Sequence, residues 1–277
     1  MTSTTPPNPQ DTTPSPTPTP AANPHRVYCP NLADQAPGGL SDAGEMGVRV
    51  TGPEAHHALR VRRLREGDAI ELFDGEGHTL ASVYTSWRGS RQNPVMVLAP
   101  AGDLQSHSPI SPRVEVLCPP PKPERLGPMI DQLSQIGVDS WIPLATARTQ
   151  GSVHDFKREK LDRVVIESAK QCRRAWLLQI GEPIWFEDAA QLEGAVLFDA
   201  SGEPGPIEPG SGKPADSVVR LLIGSEGGWT ADELALAKQA GVATRRAGPH
   251  ILRVETAAVV AATTVLHDAR SDLGGPA

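Results

Sequence analysis

The feature that constrains the fold most is the alternation of strand-like and helical patterns between residues 110 and 270. Apolar runs at Val114–Leu117 and Val218–Ile223 are typical of buried strands. After the first run, apolar residues recur at three- and four-residue steps, which predicts an amphipathic helix through Leu126, Met129, Ile130, Leu133 and Ile136, ended by Gly137. Because strand and helix alternate, we expect an α/β domain with a parallel sheet over residues 110–270.

Residues 25–105 carry shorter strand-like segments, and we expect them to form a small β-barrel. Ala69–Phe73 and Thr79–Tyr84 flank a glycine-containing turn at Asp74–Gly77, which is the pattern of a β-hairpin. A Pro-rich bridge at residues 106–112 follows. It predicts a boundary between two domains, since such segments seldom continue a helix or a strand.

Three further features concern the remainder of the chain. Residues 1–24 consist mostly of Thr, Pro, Ser, Asn and Ala, so we expect a disordered tail, and residues 201–217 predict an exposed loop. Without a long apolar run or a signal-peptide pattern, the chain is expected to be soluble and cytoplasmic. The cysteines have no C-x-x-C spacing, which argues against a metal site and predicts reduced thiols at Cys29, Cys118 and Cys172.

The charge pattern leaves an RNA partner open. A formal net charge of −7 argues against nucleic acid, because phosphate binding depends on Lys and Arg. However, Thr51 and Glu54 have the spacing of a capping box, which predicts a short helix that leads into a cluster of arginines: Arg60, Arg62, Arg63 and Arg65. A weaker basic patch follows at Lys170, Arg173 and Arg174. The alternative for the arginine cluster is a solvated helix face.

A glycine loop is the strongest local signal for a ligand site. The strand that ends at Ile223 runs into Gly224–Gly228, and a Thr230–Glu233 capping box then opens a helix. Ligands of open α/β sheets bind at the carboxyl ends of the strands, which makes this loop a candidate cofactor site. The alternative is a tight turn that needs positive φ angles. The spacing matches neither a dinucleotide-binding nor a P-loop motif.

A second turn places charged residues at the start of a helix. It runs from Gly248 to Arg253 and is followed by Glu255. Arg253 is unfavourable at the positive end of a helix dipole unless it has an anionic partner, such as Glu255, Glu226 or a ligand. The alternative is a surface arginine that simply pairs with Glu255.

Together these stretches resemble the ribosomal RNA small subunit methyltransferase E family of the SPOUT superfamily. The segments His57–Asp68 and Glu71–Gly75 resemble its N-terminal domain. Further similarity lies at Ile136–Val138, Pro143, Arg148, Ala169, Gln171 and Arg174, so the resemblance extends over most of residues 26–268. Four positions depart from the family pattern: Ser225 replaces a proline, Gln132 a lysine, and Gln135 and Lys170 glutamates.

The resemblance implies a fold and an activity. The fold is a C-terminal SPOUT-type knotted parallel sheet joined to a small N-terminal PUA-like β-barrel. The activity is transfer of a methyl group from S-adenosylmethionine to N3 of a uracil in 16S rRNA of the small ribosomal subunit, by a homodimer without a metal. The cofactor residues it implies are Leu197, Ile223, Gly224, Ser225, Glu226, Gly227, Gly228, Gly248, His250, Ile251, Leu252 and Arg253. RNA would contact Arg60, Arg62, Arg63, Arg65 and Arg174.

The chemistry of uracil N3 suggests roles for individual residues. Its proton must leave, and charge then spreads onto the carbonyl oxygens, where Arg253 could stabilise it. Glu255 could orient Arg253, and Glu226 could position the cofactor or relay the proton. Trp229 could stack on the uracil, although a hydrophobic anchor is the commoner role. Two alternatives remain: a non-catalytic RNA-binding protein with a decayed cofactor pocket, and a SPOUT methyltransferase acting on another rRNA or tRNA nucleotide.

Overall fold

The computed structural model describes residues 24–35, 47–62, 64–205 and 217–267. The predicted tail therefore lies outside the described residues except for Pro24, as do Arg63 and residues 206–216 of the predicted loop. Two sheets are present, each with its own hydrophobic core. We refer to the parts of the chain that carry them as the N-terminal unit, up to Ser106, and the C-terminal unit, from Arg113 onward.

The N-terminal unit is a mainly antiparallel sheet in the strand order β1-β3-β4-β5-β2, with β6 beside β4. Its strands are β1 His25–Tyr28, β2 Val48–Val50, β3 Ala69–Phe73, β4 His78–Gly89, β5 Pro94–Pro100 and β6 Gln105–Ser106. Strands β3 and β4 pair antiparallel from Ala69↔Val83 to Phe73↔Thr79, which confirms the predicted hairpin. Its helical segments are α1 Leu32–Gln35, α2 Gly52–His56 and a π-helical segment, His57–Val61.

The helix predicted after Thr51 is present, but the capping box is wrong. Thr51 lies at the N-cap of α2 and makes no side-chain capping bond. The Glu54 carboxylate instead accepts hydrogen bonds from the Tyr28 N–H at 3.3 Å and from Lys170 Nζ at 2.9 Å. The Glu54 carboxylate therefore bonds to tertiary partners and does not cap the start of α2.

The C-terminal unit confirms the predicted parallel α/β sheet. Its described strands all pair in parallel, in the order β10-β8-β7-β12-β11-β13, with β9 also beside β8. They are β7 Arg113–Cys118, β8 Ser140–Ala145, β9 Gln179–Ile180, β10 Ile184–Trp185, β11 Ala195–Glu203, β12 Val218–Ile223 and β13 Ala243–Arg245. Strand β11 extends past the predicted start of the loop at Ser201, because Glu203 resumes pairing with Arg245 after an irregularity.

Helices cover both faces of this sheet. They are α3 Pro123–Ile136, α4 Arg158–Cys172, α5 Phe186–Ala189, α6 Ala231–Gln239 and α7 Val254–Leu266. Helix α3 ends at Gly137 with φ 100°, the predicted left-handed cap. Alternate residues of β7 point to opposite faces, so Val116 packs with α3, α4 and α7, and Leu117 packs with α5 and α6. Among the described helices, none is long and apolar enough to cross a membrane.

The two units are joined by main-chain contacts and by a buried arginine. The Gly77 N–H donates to the Ala175 carbonyl at 3.2 Å, and the Leu177 N–H donates to the Gly75 carbonyl at 2.9 Å. Arg26 is buried at this junction, where its Nη1 donates to the Ala169 carbonyl at 2.7 Å and its Nε pairs with Glu71. Burial lowers the pKa of Arg26, and Glu71 opposes that shift.

Candidate functional site

Two loops of the C-terminal unit start at one edge of its sheet. In the strand register, Phe198 lies beside both Ile223 and Arg245. Strands β12 and β13 therefore end at the same level, at Ile223 and Arg245, whereas β11 continues past Phe198 to Glu203. In α/β sheets this edge forms the ligand crevice. The glycine loop, residues 224–228, and the second loop, residues 246–253, thus begin on either side of β11.

The glycine loop is a tight turn with close contacts. The Gly228 N–H donates to the Ser225 carbonyl at 2.8 Å, and Gly228 has φ 68°. A Cβ atom on Gly224 would lie 3.0 Å from the Trp229 ring. Trp229 is buried, and its Nε1 donates to the Phe198 carbonyl at 2.9 Å. The favoured prediction, that Trp229 is a hydrophobic anchor, is therefore confirmed, and its buried ring is not available to stack on a uracil.

The loop after β8 holds the glycine loop in place, a role that the sequence patterns did not reveal. Arg148 Nη1 donates to the carbonyls of Gly227 at 2.7 Å and Trp229 at 3.1 Å. The Glu233 carboxylate forms the predicted capping box with Thr230 and also accepts a bond from the Ala147 N–H at 2.8 Å. One buried acid therefore fixes both the start of α6 and the end of β8.

The predicted cofactor residues differ in accessibility. The side chains of Leu197 and Ile223 are buried in the core, so these residues can offer a ligand only backbone atoms. Ser225 is also buried, and its Oγ has no hydrogen-bond partner among the described residues. Gly224, Gly228, Gly248 and Leu252 are partly exposed, whereas Glu226, Gly227, His250, Ile251 and Arg253 are exposed. Ile251 is 90% exposed.

Arg253 lies at the N-cap of α7 and is exposed. It forms no ion pair with any residue that the structure describes. Glu255 instead pairs with Arg125 of α3, at 3.2 Å between Oε1 and Nη1, while its Oε2 is buried without a partner. The hypothesis that Glu255 orients Arg253 is therefore not supported, because an arginine distant in sequence holds that carboxylate.

Cys118, the last residue of β7, is buried in the core that the sheet forms with α3 and α7. Burial raises the pKa of its thiol to about 12, and the negative charges of Glu255 and Glu226 add to this shift. Cys118 packs in the same core cluster as Ile223, at the end of β12, and Val254, at the start of α7.

The predicted RNA-binding arginines have different surroundings. Arg60, Arg62 and Arg65 are exposed and form no ion pair with described residues, whereas Arg63 lies outside the described part of the chain. Arg174 turns inward and donates to the Ser134 carbonyl at 3.0 Å, which argues against the prediction that it contacts RNA. The weaker patch has structural partners too, since Lys170 pairs with Glu54 and Glu167, and Arg173 pairs with Glu71.

Comparison with protein families defines the class of this protein. Residues 108–266 match the model of the RNA methyltransferase domain, and residues 50–81 match the RNA methyltransferase PUA domain. The fold and the loops at its carboxyl edge thus belong to an RNA methyltransferase. Within the described residues, no group of three or more His, Cys, Asp or Glu side chains could hold a metal ion.

Individual relatives identify the family. The chain is 32% identical over 236 residues to the ribosomal RNA small subunit methyltransferase E of Mycobacterium bovis, covering 80% of this chain and 86% of that protein. It is 28% identical over 223 residues to the Synechocystis protein of the same name, covering 78% and 72%. The chain belongs to the ribosomal RNA small subunit methyltransferase E family.

A solved structure agrees with this fold. The Neisseria gonorrhoeae ribosomal RNA small subunit methyltransferase E, crystallised with S-adenosyl methionine, has a TM-score of 0.67 and 21% sequence identity. The match covers 87% of this chain and 95% of that one. It shows that both chains share one architecture across both units.

Proposed function

We propose that this protein transfers the methyl group of S-adenosylmethionine to N3 of a uracil in 16S rRNA. As a member of its family it is a ribosomal RNA methyltransferase that depends on S-adenosylmethionine. The substrate atom and the site residues are our assignment. The observation that supports it best is the exposed Arg253 at the positive end of α7, which forms no ion pair with any described residue. Such a cation favours an anionic reaction partner.

The loops suit this cofactor. S-adenosylmethionine presents an adenine, a flexible amino-acid tail and a sulfonium, and it supplies an electrophilic methyl group when bound. Gly224 and Gly227 allow the backbone of the glycine loop to approach an adenosyl group closely. The free Ser225 Oγ and Glu255 Oε2 are buried polar atoms without partners among the described residues, which a polar ligand could satisfy. Ile251 and Leu252 add apolar surface.

Methyl transfer of this kind depends mainly on alignment. The loops position donor and acceptor in line and exclude water from the reaction centre. When the N3 proton leaves, negative charge spreads onto the uracil carbonyl oxygens, and the Arg253 guanidinium stabilises it. Glu226 is exposed in the glycine loop and is the carboxylate that we assign to proton removal or cofactor contact. Glu255 pairs with Arg125 and thereby connects the start of α7 to α3.

The N-terminal unit supplies RNA contacts in this proposal. Arg60, Arg62 and Arg65 are exposed and free of ion pairs within the described residues, so their guanidinium groups are available to phosphates. We propose that residues 25–105 form a PUA-like barrel and that residues 110–270 form a SPOUT domain with a trefoil knot. In the proposal, two copies of the chain pair through the knot region.

The experiment separates cofactor binding from catalysis. Calorimetric titration with S-adenosylmethionine should show binding by the wild type and loss of binding by Gly227→Trp, whose side chain starts 3.2 Å from Arg148. Gly102→Trp is the matched control, because Gly102 is exposed and a Cβ there meets no atom within 4 Å. No binding by the wild type would favour a non-catalytic RNA-binding protein with a decayed pocket.

Catalysis is measured as transfer of radiolabelled methyl groups to purified small ribosomal subunits. Arg253→Ala should lower the rate of transfer by about 100-fold, the effect of removing one group that stabilises developing charge. Arg246→Ala, an exposed arginine of the same loop, is the control. Mass spectrometry of the rRNA then identifies the methylated atom. A product other than N3-methyluridine would contradict the assigned substrate and leave the cofactor site intact.

A further inference from the structure

A concave site on the N-terminal unit has no role in methyl transfer as described above. We call it the Trp87 pocket, and it is lined by Trp87, Arg60, Arg91, Leu59, Leu64 and Pro94. Its volume is about 270 Å³. Sites for drug-sized ligands span roughly 300–1,000 Å³, so this pocket suits a single ring system better than a larger ligand.

A β-bulge places Trp87 in this pocket. Strands β4 and β5 change register between Tyr84 and Ser86. Before the change Tyr84 pairs with the buried Leu98, and after it Trp87 pairs with the buried Met96. Directly paired residues share one face of a sheet, so the bulge brings Trp87 to the core-facing side. The indole is nevertheless 47% exposed, which leaves aromatic surface open to a ligand.

The positive charges of Arg60 and Arg91 beside the indole indicate that the pocket favours an anionic ligand. Arg60 and Arg91 are both exposed, and neither forms an ion pair with a described residue. Two free guanidinium groups beside an aromatic ring in a chain of net charge −7 indicate a local preference for anions. Stacking on an aromatic ring combined with phosphate contacts is how proteins hold single-stranded nucleic acid.

We propose that the Trp87 pocket binds one unpaired nucleobase of the substrate RNA, stacked on the indole, while Arg60 and Arg91 contact the adjacent phosphates. The inference rests on the proposed function, in which RNA is the substrate. The pocket holds an RNA segment that is not the methylated uracil, and it thereby restricts binding to regions with an accessible single strand. Paired bases cannot enter, because their faces are covered by their neighbours.

The test compares single-stranded and duplex RNA. Fluorescence anisotropy measures binding of a labelled single-stranded RNA of roughly 12 nucleotides, within the site sizes of single-strand-binding modules, and of the same RNA annealed to its complementary strand. Trp87→Ala should weaken single-strand binding by between about 5-fold and about 150-fold, the effect of losing one stacked base. Duplex binding should stay unchanged. Trp87→Phe should retain most of the affinity, and Trp185→Ala is the control because Trp185 is 65% exposed outside the pocket.

An abasic scan locates the stacked base. Removal of that base should weaken wild-type binding as much as Trp87→Ala does, and it should not weaken Trp87→Ala further. Arg91→Glu covers the case in which Trp87→Ala fails to fold. Wild-type affinity in both Trp87→Ala and Arg91→Glu would overturn the inference, as would equal losses for single strand and duplex. S-adenosylmethionine affinity, measured in parallel, reports on the proposed function separately, because Trp87 lies outside the cofactor loops.

Discussion

Arg148 donates a hydrogen bond of 2.7 Å to the carbonyl of Gly227, and this bond connects the loop after β8 to the glycine loop after β12. A second bond from the same nitrogen reaches the Trp229 carbonyl at 3.1 Å. The glycine loop is therefore held by a side chain from another strand, and its conformation does not depend on its own turn alone.

Removal of this contact should weaken cofactor binding. We expect Arg148→Ala to raise the Kd for S-adenosylmethionine about 10-fold, the low end for hydrogen bonds from a charged donor, because Arg148 is exposed. Calorimetric titration measures the change. Arg158→Ala is the control, since Arg158 is also exposed and its ion pair is with Asp162 on the same helix. An unchanged Kd in Arg148→Ala would show that the loop keeps its shape without the bond.

The free energies of unfolding of two arginine variants should show which arginine pairs with Glu255. Arg125→Ala should lower the free energy of unfolding by about 1–3 kcal/mol, because it leaves a largely buried carboxylate unpaired. Arg253→Ala should change it by less than about 0.5 kcal/mol, as expected for an exposed side chain without an ion pair. Urea denaturation of both variants provides the comparison. The opposite order would mean that Glu255 pairs with Arg253.

Glu233 is expected to be the most sensitive acid of the C-terminal unit. Its buried carboxylate accepts bonds from the N–H groups of Ala147 and Thr230, at 2.8 and 2.7 Å. Glu233→Ala should lower the free energy of unfolding by about 2–4 kcal/mol, through the lost cap and an unsatisfied N–H. Asp232→Ala, one residue earlier and exposed, should cost far less. Similar melting temperatures for the two variants would contradict the structural role.

Stability should fall at alkaline pH. Burial raises the pKa of Cys118 from its ordinary value of 9.0 to about 12, and that of Cys29 to about 11. The folded state keeps these protons longer than the unfolded state does, so the stabilisation is complete below pH 9 and is lost as pH rises toward 12.

The loss should reach about 1.4 kcal/mol per pH unit for each thiol. Urea denaturation over this range should therefore give a shallower pH dependence for Cys118→Ala than for the wild type. Parallel curves would show that Cys118 ionises as readily in the folded protein as in the unfolded chain.

Local patterns predicted the elements whose partners are close in sequence. The hairpin of β3 and β4, the left-handed cap at Gly137 and the capping box of Thr230 and Glu233 all follow from contacts within a few residues. The parallel sheet followed from the alternation of strands and helices. The resemblance to the family predicted that the glycine loop binds the cofactor, and this stays a prediction.

Tertiary competition explains what the sequence did not reveal. Glu54 had the spacing to cap α2, yet it bonds to Tyr28 and Lys170. Glu255 had Arg253 two residues away, yet Arg125 from another helix is its partner. When a side chain has both a local and a distant candidate partner, the residues next to it in sequence do not show which partner it binds. The hydrogen bonds from Arg148 to the glycine loop could not be predicted for the same reason, because their acceptors are distant in sequence.

The junction of the two units determines the distance between the Trp87 pocket and the glycine loop. Glycines occupy positions 75 and 77 with φ of 79° and 96°, and a Cβ at either would lie 2.5 Å from Leu177 or Trp176. The main chain of the N-terminal unit at Gly75 and Gly77 therefore packs directly against the side chains of Leu177 and Trp176 in the C-terminal unit. An RNA that used both the Trp87 pocket and the glycine loop would have to present its two contact points at the spacing that this junction gives them. Selectivity would then depend on the distance between the two contact points in the RNA. A ribosomal particle with the right bases at a different distance would not be methylated.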